Sequence, residues 1–130
     1  MTSVLSIGIN RVLAAEATVA LLGHDAKDVA SVFPVQIPKG AAVPAVTINR
    51  LFERKEGGET TAVLAITCMA KTVQEVETLG ATLIDEIDGT TDFAFADLVG
   101  ITCDKAGPDV TGFDAERGLM LRQIEFVITW

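Results

Sequence analysis

Four carboxylates stand within the string Asp85-Glu86-Ile87-Asp88-Gly89-Thr90-Thr91-Asp92-Phe93. Carboxylate oxygens at that density suit a hard cation such as magnesium, and a Gly-Thr turn can present backbone N–H groups to a phosphate. On paper this is the equipment of a metal-dependent phosphatase. No other chemistry assembles. His24, the one histidine, follows Gly23 at a helix end, where a cation suits the C-terminal dipole. Cys68 and Cys103 are far apart, lack CxxC spacing and have no neighbour that would activate a thiol, so both read as buried free thiols of a reducing cytoplasm. The chain contains no GxSxG, no Walker loop and no GxGxxG.

The acidic string is similar to the DPxDGTxNF signature of inositol monophosphatase-type enzymes, but its context differs. In that family the signature leaves a strand; here it closes an amphipathic helix, which puts Asp85 on the wet face. Glu86 stands where the proline belongs and Asp92 where the asparagine belongs, and no WDxAAG-like stretch follows. The string therefore reads as a solvated helix end with Gly89 as cap and Thr90-Thr91-Asp92 as turn, and neither an enzyme, a metal nor a cofactor is expected.

Composition points the same way. A chain of 130 residues, 49% hydrophobic and 22% charged, suits one packed domain spanning residues 1–130. Six Phe, one Trp and no Tyr leave an aliphatic core. The formal charge of -8 and the scattering of the ten basic residues give no electrostatic footprint for tight nucleic-acid binding. The N-terminus has no signal-peptide pattern, and no run approaches the roughly 18 apolar residues of a membrane span.

Several elements must position these residues. Leu5, Ile9, Val12, Leu13 and Val19 form a loose helical stripe over residues 2–22, broken by Gly8 and Glu16 into two short helices or one irregular one, with Gly23 as C-terminal cap. Residues 29–37 contain Pro34, so they form an edge strand or extended segment, and 38–44 form a loop. Alternation over 45–53, the Gly57-Gly58 turn and the apolar run 60–69 make a hairpin whose second strand lies inside the sheet. Thr72 and Glu75 open a helix as a capping box, and Val73, Val76, Leu79, Gly80, Leu83, Ile84 and Ile87 form its apolar face. Gln74, Glu75, Glu77, Thr78, Asp85 and Glu86 are expected in water, and Gly80 is expected to permit close packing on the sheet. Residues 98–104 read as a strand, 106–118 as a polar loop, and 119–130 as a final strand with Ile124, Phe126 and Ile128 inward. The result is an α+β fold: an antiparallel sheet of four to five strands with two or three helices packed on one face.

The stretch from Val32 to Ile48, a strand ending near a proline, then P-x-G-x-x-x-P, then an alternating strand, resembles the tail completion (tail terminator) proteins of phages, prophages and gene transfer agents. The remaining order is also similar: the strand to Met69, the helix from Thr72 to Asp88 with its acidic face, a variable loop, and a terminal strand ending in an aromatic, Trp130. The resemblance covers nearly the whole chain. It departs at Ala45 and Val46, where aromatics often occur.

That resemblance implies a non-enzymatic virion protein, assembled in the host cytoplasm. It would form a ring, typically a hexamer, on the head-proximal end of the tail tube. Its partners would be copies of itself, the tube protein and the head-tail connector or neck protein; DNA would pass through without tight binding, and no membrane is involved. A head-completion stopper or a tube protein is the alternative. Edge strands and loops would supply the ring contacts, with Pro34, Gln36, Pro38, Lys39, Pro44, Asp109 and Phe113 as candidates. Glu53, Glu56, Glu59, Asp85, Glu86 and Asp88 are candidates to line the bore, where they would repel phosphate over a Debye length of about 8 Å.

Overall fold

The computed structural model describes residues 3–22, 31–38 and 41–130. Its elements are α1 (Val4–Leu13), α2 (Glu16–Leu21), β1 (Val32–Pro34), β2 (Ala45–Glu56), β3 (Glu59–Ala70), α3 (Val73–Ile87), β4 (Thr90–Phe95), β5 (Leu98–Asp114) and β6 (Leu119–Thr129). The strands form one six-stranded sheet in the order β1-β2-β3-β6-β5-β4. Neighbours are antiparallel except at one edge, where β1 runs parallel to β2 with Val32 opposite Val46.

The helices cover one face. Val46 and Ile48 of β2, Leu64 and Ile66 of β3, and Ile124, Phe126 and Ile128 of β6 alternate onto that face and are buried. They join Val4, Ile7 and Val12 of α1 and Leu79, Leu83 and Ile87 of α3 in one aliphatic core. The core is what makes these amphipathic stretches fold: period-two burial in the strands meets period-3.6 burial in the helices. A smaller cluster, Ile37, Ala45, Met69 and Leu119, is joined by the half-buried Phe33, Val43 and Leu121. It ties the 37–43 segment to the sheet.

The α+β class and one-sided helices agree with the sequence reading, and six strands replace the expected four to five. β4 is the addition: Thr90-Thr91-Asp92, expected as a turn, begins a strand that pairs Thr90 with Cys103 and Phe93 with Ile101. The expected loop over 106–118 is also corrected. β5 continues to Asp114, and only 115–118 turn into β6. Between Ala106 and Val110 the register slips, so a bulge absorbs Gly107, Pro108 and Asp109. Pro108 is tolerated because β4 does not extend to that level and, among the described residues, that side of β5 has no neighbour. The wholly antiparallel sheet is corrected too, by β1. Gly23, His24 and Lys39 lie outside the described residues.

The capping box is found where sequence places it, whereas Val73, expected on the apolar face of α3, is 51% exposed. Thr72 Oγ1 accepts from the Glu75 amide (3.1 Å) and donates to the Glu75 carboxylate (2.9 Å). The N-terminal stripe is two helices. Gly8 does not interrupt α1; a Cβ there would stand 2.6 Å from Leu64 Cδ1, so glycine lets the helix lie directly on the sheet.

Candidate assembly surfaces

The two segments expected to make contacts lie at the same end of the sheet. β2 and β6 run in one direction, β3 and β5 in the other. The β5–β6 turn therefore stands at the opposite end from the β2–β3 turn, beside the 37–43 segment. Arg117 reaches the Ile37 carbonyl (3.5 Å), and Ile37, Pro38, Ala41, Val43 and Glu116 line a shared groove. Arg117 is held by Asp114, whose carboxylate accepts from the Arg117 amide and guanidinium, both at 3.1 Å. Those bonds hold the Asp114 carboxyl below its ordinary value.

Of the individual candidates, Pro34, Gln36 and Pro38 are exposed and Pro44 is half-buried. Val35 sits at φ +66 and turns the chain off β2 after its amide bonds to Ile48 O (2.9 Å). Phe113 is 59% exposed, opposite Met120. Asp109 differs from the rest because it is engaged internally. It accepts from Arg122 Nε (2.9 Å), and Lys105 Nζ stands 2.8 Å from its other oxygen. Burial would raise its pKa, but these two cations overcome that and hold it low. Arg122 also donates to the Glu77 carbonyl (3.1 Å) and lies against Gly80, where a Cβ would meet its Cδ at 2.6 Å. Gly80 thus gives room to an arginine that pins α3 to β6.

The acidic candidates divide into two groups. Glu53, Glu56 and Glu59 sit on the β2–β3 hairpin, with Glu53 3.5 Å from Arg50 and Glu56 3.5 Å from Arg54. By pairing, Glu53 stands with Ala62 on the helix-covered face, and Glu56 with Glu59 on the other. Asp85, Glu86 and Asp88 end α3 on the β4 side. The row Glu53–Ala62–Ile128–Cys103–Thr90 crosses the sheet at one level. Its four strand spacings separate the two groups by about 19 Å measured along the sheet, which curls so that Arg50, Glu53 and Lys55 share a groove with Asp97 and Leu98.

Glu86 departs from its expected place in water. Its carboxylate accepts from the Ala17 amide (3.0 Å), the Thr18 amide (2.7 Å) and the Thr18 hydroxyl, capping the start of α2. Burial alone would raise its pKa; the Thr18 and Ala17 bonds, helped by Arg11, hold it below the ordinary 4.5. Arg11 donates to the Glu86 carbonyl (2.7 Å) and lies 5.3 Å from the Phe93 ring centre. Asp88 accepts from the Lys105 amide (2.8 Å), while Asp85 is exposed. The string that could have held a cation therefore points three ways, and no three His, Cys, Asp or Glu among the described residues are grouped to hold a metal. Cys68 and Cys103 are buried free thiols, and burial pushes the Cys68 pKa up to about 12.

Two surface features were missed in the sequence. Past Ile48, β2 has no neighbour on its outer side among the described residues, and Asn49 to Glu56 are all exposed. Leu51 and Phe52, each 49% exposed, lie at a register slip between Arg50 and Phe52. On the opposite edge β4 is likewise unpaired outward. Polarity along 49–56 was a signal for exposure, but only the shortness of β1 reveals a free edge. Among the described residues no helix is long and apolar enough to cross a membrane.

No protein-family model matches the chain, and neither does any curated protein. Among solved structures, it is similar to a chain of the virion of a native gene transfer agent particle. The likeness has a TM-score of 0.51 at 16% identity and covers 88% of this chain and 92% of that one. At that identity, what is shared is the fold.

Proposed function

We propose that this chain is a non-enzymatic structural protein of a phage-like particle, and within it a tail completion subunit. In this reading one domain, repeated in a ring and typically six times, caps the head-proximal end of the tail tube. It stops tube polymerisation and offers the neck its docking surface. The observation that carries the reading is the fold shared over 88% of the chain with a gene transfer agent virion chain. The P-x-G-x-x-x-P crossover and the strand-helix order noted in the sequence support it.

The surfaces fit that work. The groove between the 37–43 segment and the 115–118 turn, lined in part by Pro38, is a contact region for the next copy or the tube; Pro34, Gln36, Pro44, Phe113 and, outside the described residues, Lys39 are further candidate contacts. Asp109 contributes by holding the β5 bulge in shape. Glu53, Glu56, Glu59, Asp85 and Asp88 stand toward the β2–β3 end of the sheet and ring the mouth of the bore, where they keep DNA from sticking; Glu86 adds its charge while capping α2.

The test is to add the purified chain to growing tail tubes of its own particle and image them by negative-stain microscopy. Tubes capped at one end and halted in growth are expected. Incorporation along the whole tube would make the chain a tube protein instead, and tubes that grow unaffected would remove the terminator reading.

A further inference from the structure

The formal charge of -8 is carried by one part of the molecule. Between Thr72 and Asp104 there are eight acidic residues and no Lys or Arg; elsewhere ten acidic residues meet ten basic ones. That stretch builds α3, β4 and the start of β5. The edge formed by β4 is thus acidic, with Asp92 and Asp97 exposed. The far edge differs. The free part of β2 carries Arg50, Arg54 and Lys55 against Glu53 and Glu56, and Lys55 joins none of the described ion pairs.

The two edges also match in height and direction. Glu53 is level with Thr90 through three intervening strands. β2 and β4 run the same way, because three antiparallel steps through β3, β6 and β5 are followed by a fourth. Among the described residues each presents unpaired backbone groups outward, which is a template for another strand. Apolar side chains stand at both sites: Leu51 and Phe52 beside the first, Val99, 79% exposed, near the second.

We infer that the β4 edge of one copy docks against the free β2 edge of the next, as a parallel strand pairing steered by opposite charge. The contact is heterologous, so repeating it about an axis along the strands closes a ring when the rotation per copy divides a full turn. This inference rests on the ring reading above and supplies the surface that closes it.

The experiment uses the full chain and two double variants, Arg54→Glu/Lys55→Glu on β2 and Asp92→Lys/Asp97→Lys on β4. Mass is read by light scattering after size exclusion at low salt. Each variant alone presents like charges at every junction and is expected to self-associate about a hundredfold more weakly than the parent chain. An equimolar mixture restores assembly, because reversed edges meet reversed edges in alternation; unfolded variants could not do so. Either variant assembling like the parent, or a mixture that stays dissociated, overturns the inference. A parent chain that remains monomeric at millimolar concentration overturns it too. If that monomer still caps tubes, the terminator reading stands without this contact; if the rings behave as expected but never cap a tube, the contact stands without the terminator reading.

Discussion

Glu86 lies one residue before the end of α3, yet its carboxylate serves another helix. It accepts two amides and a hydroxyl at the start of α2, the end where unsatisfied N–H groups attract negative charge. The helical period put it beside Asp85 in water, and nothing local distinguishes them; the partner is 68 residues away. The capping box at Thr72 was legible because both partners lie within one turn. The Glu86 contact has a pH signature. Its pKa is lower in the folded chain than the ordinary 4.5, so the stabilisation is fully present above that value. It is lost as pH falls through the lowered folded value. Glu86→Gln should lower stability at pH 7 by about 1 kcal/mol, and the gap should narrow as pH falls below 4.5 and the carboxyl protonates. Urea unfolding at pH 7 and in acid checks this. An equal gap at each would mean that the charge contributes nothing.

Among the elements, α1 and α3 approach the sheet through glycines for different reasons. Gly80 makes room for Arg122, whereas Gly8 lets α1 rest on Leu64 and Ile48, with Ile48 Cγ2 3.1 Å from where a Cβ would be. Gly8→Ala gains about 1 kcal/mol of helix propensity but overpacks a buried contact, at a cost of about 1–3 kcal/mol. The variant should be less stable than the parent, and in a Leu64→Ala background the same change should become neutral or stabilising. A double-mutant cycle from urea unfolding measures the coupling; additive effects would refute the contact. The sequence reading took Gly8 as a break because propensity is local and the sheet beneath it is not. Its loop over 106–118 failed for the same reason. Gly107-Pro108 would end a strand between two neighbours, but β5 has only β6 at that level, so the chain bulges and continues. The hairpin at Gly57-Gly58 and the strands β3 and β6 were readable because their pattern and turn are contiguous. β1 was readable as an edge from Pro34, but its parallel partner was not.

For the whole molecule, the uneven charge separates two tasks that a uniform acidic surface could not combine. In the proposed ring, copies must attract one another at their edges, yet the ring must not hold DNA. Cations at the β2 edge answer the first need and can do so only where the neighbour's β4 edge meets them; once paired there, they are withdrawn from any phosphate. What remains outward is the excess of carboxylates, screened over about 8 Å at physiological salt. Under the ring reading, Glu56, Glu59, Asp85 and Asp88 keep the mouth of the bore negative. Assembled protein should therefore leave double-stranded DNA unretarded in a gel-shift assay even at low salt, where electrostatic attraction is strongest. Changing these four residues to Lys should convert the ring into a DNA binder whose affinity falls steeply with added salt, as phosphate contacts require. Tight DNA binding by the parent ring, or a Lys-substituted ring that still ignores DNA, would show that these side chains do not face the passage.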